Sequence, residues 1–123
     1  MPTTRKKQQQ QSKGKLPEPP RPFREFTDRH PDVAHAYESL GTAVRGAGPL
    51  SEREIALIKL GISLGARLEG AAHAHARKAL AAGIDAATLR HVAILTVPTL
   101  GFPTMMASLG WVEDVVAGKP RKR

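Results

Sequence analysis

The chain of 123 residues has no cysteine, which excludes a disulfide framework, a thiolate metal site and a thiol nucleophile of its own. Aromatic residues are few, and none interleaves with the basic runs at the chain ends. Stacking or sequence-specific recognition of nucleic acid therefore has no support. There is no Gly-rich phosphate loop, serine nucleophile elbow or dinucleotide fingerprint, and no convincing period-two alternation that would predict a strand. Between Arg90 and Glu113, 22 residues pass without Asp, Glu, Lys or Arg, long enough for a membrane span. His91, Pro98, Gly101 and Pro103 interrupt that run, so two short buried helices are expected and no membrane association. The N-terminal stretch has no apolar core of the signal-peptide kind, and a cytoplasmic location is expected.

What is present in excess is positive charge, with a formal net of +8. Its position matters more than its size. Before Pro22, six basic residues (Arg5, Lys6, Lys7, Lys13, Lys15 and Arg21) face only Glu18, for +5, and Lys119, Arg121, Lys122 and Arg123 add +4. The stretch from Pro22 to Ala117 is left at −1. Residues 1–22, rich in Gln, Lys and Pro, are expected to be a disordered solubilising tail, because such a composition buries too little to offset ordering entropy. Residues 118–123 form a second basic tail. At most these tails predict weak, salt-sensitive, nonspecific attraction to nucleic acid.

Residues 23–117 read as one all-α domain, a compact bundle of about five main helices. Pro31 suits a first helical position, and Val33, Ala36, Tyr37 and Leu40 follow at helical spacing to about Val44. Gly46, Gly48 and Pro49 break the pattern. Ser51 and Glu54 make a capping box. The helix it opens, with Ile55, Leu57, Ile58, Leu60, Ile62 and Leu64, is apolar on nearly every face and belongs in a core or between subunits. Gly61 and Gly65 in it suit a close approach of neighbouring backbones. An alanine-rich helix runs from about Arg67 to Ala82 and ends at Gly83. Asp85 caps the next, and a last helix spans about Pro103 to Ala117 with Met105, Met106, Leu109, Trp111, Val112 and Val115.

The helix at Pro31, the Leu50-Ser51 opening, the Ile55-Ala-Leu-Ile58 run, the spacing from His75 to Gly83 and the Gly101-Phe-Pro103 turn occur together and in order. In this combination the chain, from about Phe23 to Val116, resembles the carboxymuconolactone decarboxylase and alkylhydroperoxidase D superfamily. The resemblance implies a small helical protein that assembles into trimers or hexamers. It also implies that the two cysteine positions of the redox members fall on Leu68 and Ala71, and their relay glutamate on Ala56. Three of the four reactive positions are thus aliphatic, and a thiol peroxidase activity is not expected. The decarboxylase branch needs no cysteine and carries an arginine, a glutamate and a histidine four residues after the glutamate. Glu69 and His73 have that spacing, whereas the glycine register selects His75, whose partner four residues earlier is Ala71.

On a helix, Glu69, His73 and Arg77 share a face and His75 points roughly the other way. His75, among alanines, is expected in a packed or oligomeric interior, and the Glu69-His73-Arg77 face is expected as an exposed ladder. The chemistry these residues offer is proton transfer by His75 or His73 with Glu69 orienting it, and an arginine, Arg67 or Arg77, holding a small carboxylate or lactone ligand. Glu69 and His73, with His91 or Glu54, could supply metal ligands, but HExxH is absent and no metal or other cofactor is expected. The rival expectation is a catalytically silent oligomeric scaffold or binding module.

Overall fold

The computed structural model describes residues 19–118. The basic runs of residues 1–18 and 119–123, and the disorder and nucleic-acid expectations attached to them, lie outside the described residues. Among the described residues there are seven helices and no strand: α1 (Arg21–Arg29), α2 (Pro31–Arg45), α3 (Glu52–Gly65), α4 (Glu69–Ala81), α5 (Ala86–Ile94), α6 (Val97–Leu100) and α7 (Phe102–Val116). The all-α expectation holds. None of these helices is long and apolar enough to cross a membrane.

The chain divides into two compact units, with the boundary between Ile55 and Ala56. The first unit holds α1 and α2, which pack on each other. Helix α1 was not foreseen from the sequence, which placed Arg21 and Pro22 in a tail. Proline is tolerated in a first helical turn because the backbone donors there have no intrahelical partner, and Arg21 Nε donates to Glu25 Oε2 at 3.0 Å one turn on. Pro31 opens α2 as expected. Neither helix has a buried residue. Val33, Tyr37, Leu40 and Val44 recur every four, three and four residues and form an exposed apolar stripe, with Tyr37 67% exposed. The Ser51 capping box closes as predicted: Glu54 N–H donates to Ser51 Oγ at 3.1 Å, and Ser51 N–H to Glu54 Oε1 at 2.9 Å.

The second unit contains α3 from Ala56 onward and α4 to α7. Its core joins Leu60 and Leu64 of α3, Ala72, Ala76 and Ala79 of α4, Ile84, Leu89 and Ala93 around α5, and Val112 of α7. Alanines on the inner face of α4 let its neighbours approach closely. Helix α7 packs most extensively on α4 and α5. Two glycines set the connections, since Gly83 (φ 95°) and Gly101 (φ 98°) adopt backbone conformations that a Cβ disfavours. Asp85 caps α5 through Oδ1, which accepts from Thr88 N–H at 2.9 Å.

Helix α3 buries Leu60 and Leu64 and leaves Ile58 and Ile62 exposed, so only one of its faces lies in this chain's core. Two packing expectations need correction. The uncharged run after Arg90 is not simply buried, because Ile94, Leu95, Leu100, Phe102 and Met106 are exposed. Gly61 and Gly65 meet side chains, not backbones: a Cβ there would lie 3.8 Å from Val92 Cγ1 and 3.5 Å from Leu100 Cδ1, which is ordinary contact.

Candidate functional site

Helix α4 carries the candidate residues, and its start explains their placement. The sequence predicts helix from Arg67, but Arg67 takes a left-handed conformation (φ 59°), unusual for a residue with a Cβ. The helix therefore begins at Glu69 with Leu68 as its cap. Arg67 is exposed and its Nη1 donates to Thr104 Oγ1 at 2.9 Å, tying the turn before α4 to the first turn of α7. Its hydrogen bond thus goes to Thr104, away from the histidines.

From Glu69 the helical repeat places His73 one turn on and Arg77 one turn further. This face is not an exposed ladder. His73 is buried, with 6% of its surface accessible, and its Nε2 lies 3.0 Å from Asp114 Oδ2 on α7. Glu69, half-buried, completes a cluster in which one donor atom each from Glu69, His73 and Asp114 lies within 4.8 Å of the other two. Arg77 is half-buried and forms no ion pair among the described residues. Asp114 has 45% of its side chain exposed, so the cluster presents carboxylate outward and imidazole behind it.

His75 lies elsewhere on α4. It is half-buried, and its pKa is lowered from the ordinary value by desolvation first and then by the positive charges of Lys59 and Lys78. Those influences favour the neutral ring. No carboxylate is paired with it among the described residues. Within the single chain the more buried ring is His73, and His75 is only half-buried. The proposed metal partners change as well: among the described residues the cluster takes Asp114, and not His91 or Glu54, as its third member.

Asp114 was missed because it lies 41 residues from His73 in the chain. A signal was nevertheless present. Glu113 and Asp114 fall in the last turn of α7, where the helix dipole disfavours negative charge. Both turn out to be partnered. Glu113 takes a two-point contact from Arg90 of α5, Nε to Oε2 at 2.6 Å and Nη2 to Oε1 at 3.2 Å. That hydrogen bond, more than the charge, holds the Glu113 carboxyl below its usual range.

The described residues thus form an all-helical arrangement in a chain without cysteine, in which a buried histidine of α4 meets a carboxylate of α7 with a second carboxylate nearby. The model of the carboxymuconolactone decarboxylase family matches residues 31–114, and the chain belongs to that family. No curated protein and no solved structure gave a match.

Proposed function

We propose that this protein carries out cysteine-independent acid–base chemistry on a small carboxylate or lactone, with Glu69, His73 and Asp114 as the working centre. The observation that carries this reading is the approach of His73 Nε2 to Asp114 beside Glu69. Loss of CO2 from a carboxylate leaves an electron pair on carbon, and a proton delivered to that carbon completes the step. Asp114, partly exposed, is the group able to meet a substrate, and His73 behind it holds the proton balance and fixes the carboxylate. Glu69 at the first turn of α4 supplies the second carboxylate. Arg77, one turn beyond His73, is placed to hold an anionic substrate group, while Arg67 is engaged with Thr104.

The test is turnover of a panel of small lactones and carboxylates by the wild type, His73→Gln and His75→Gln. Proton transfer of this kind is worth about 100-fold to 10,000-fold. The expected result is a loss of that order in His73→Gln and near-wild-type turnover in His75→Gln. Equal turnover in all three proteins would remove the cluster from the mechanism.

A second reading, a catalytically silent oligomeric scaffold, is supported by Ala56, Leu68 and Ala71 at the superfamily's reactive positions, and a wild type inactive across the panel would favour it. Both readings share an oligomeric working form, a trimer or hexamer. The exposed stripe of α2 and the exposed Ile62, Leu95 and Phe102 of the second unit support that, since a soluble monomer rarely leaves so much large apolar surface uncovered.

A further inference from the structure

We infer that Glu69, His73 and Asp114 bind a divalent transition cation of the zinc class. The inference shares the side chains of the acid–base reading but does not need turnover to be true. The three donor atoms, one imidazole nitrogen and two carboxylate oxygens, already lie within 4.8 Å of one another. In a tetrahedral site with bonds of about 2.1 Å, neighbouring donors are about 3.4 Å apart. Reaching that geometry requires Nε2 and Oδ2, now at 3.0 Å, to separate slightly, with any adjustment of Glu69 starting from within 4.8 Å. Glu69 and Asp114 are not fully buried, which leaves their side chains room for adjustments of that size.

Electrostatics points the same way. Asp114 sits at the negative end of α7, where a cation is favoured. A dication bound there relieves the unfavourable end charge. The donor set selects among cations: imidazole with carboxylate suits Zn2+, Co2+ and Mn2+, whereas Mg2+ and Ca2+ prefer all-oxygen sites and Cu(I) prefers sulfur. Three protein donors, one of them half-exposed, leave a position open for water or a substrate oxygen.

The experiment uses the full chain after chelator treatment, titrated with Co2+ and followed by its visible absorption, with Zn2+ then added as competitor. One Co2+ per chain is expected, with the intense bands of a low-coordinate site, displaced by Zn2+ and not by Mg2+. Asp114→Asn, a change at a half-exposed position, and His73→Gln should each weaken binding at least tenfold, while His91→Gln should not. Helix content by circular dichroism checks that each variant is folded. Absence of a cobalt spectrum, or equal binding in Asp114→Asn and the wild type, overturns the inference. The two readings separate cleanly: turnover that needs His73 in protein that binds no cation leaves proton transfer standing and removes the metal site.

Discussion

The two units of the chain solve the burial problem in opposite ways. Residues 56–118 enclose a core with Leu60, Leu64, Ala76, Ala79, Leu89 and Ala93 fully shielded, whereas α1 and α2 have no fully buried residue. Yet the apolar residues of α2 are as regular as those of the core helices. A helix with an exposed four-three-four apolar stripe suits being covered by a partner surface. The contrast supports the proposal that the α2 stripe takes part in association and that the chemistry belongs to the second unit, where the polar cluster stands on helices with a fixed core behind them.

The sharpest way to break that division is Leu40→Glu, which puts a charge in the middle of the α2 stripe. Light scattering should then report the mass of a single chain, with helix content of the second unit retained. An unchanged mass would show that the stripe is not the contact. Leu64→Ala tests the other side of the comparison. Leu64 is fully buried, and its truncation should cost about 2–5 kcal/mol in chemical denaturation, the usual range for a large buried side chain. Ser108 sharpens the same contrast within the core. Its hydroxyl is fully buried and has no hydrogen-bond partner among the described residues, a situation costing about 1–3 kcal/mol. Ser108→Ala should therefore raise stability by about 1 kcal/mol, and a clear loss would mean that the hydroxyl has a partner in the assembled protein.

The smallest effect concerns pH. Desolvation and the nearby lysines lower the His75 pKa from its ordinary value of 6.5. As the pH falls below that value the unfolded chain takes up the proton first, so folding stability declines. The decline ends once the folded form is protonated too. In chelator-treated protein, His75→Gln should flatten this part of the stability profile. An identical profile in the variant would show that His75 does not titrate differently on folding.

Much of the fold was legible because its signals are local. Pro31, the Ser51-Glu54 box, Gly83 and Asp85 each act within one turn of chain, and each is found at a helix boundary. Helix α1 escaped because its prolines read as a tail, although proline is harmless in a first turn. Arg67 escaped because nothing in its neighbourhood announces a left-handed residue. The site was half legible. Glu69 and His73 lie on one helix and their pairing is a matter of spacing, but Asp114 comes from α7 and only tertiary packing brings it to His73. The glycine register drew attention to His75 for the same reason: it measures distance along the helix and says nothing of what α7 places opposite.

Asp114 is therefore the residue on which the account depends most. Asp114→Asn keeps the size of the side chain and removes its charge, at a position exposed enough to leave the fold intact. Turnover on the lactone and carboxylate panel should fall at least tenfold while mass and helix content stay those of the wild type. Turnover equal to the wild type would contradict the claim that the chemistry of this protein resides between α4 and α7.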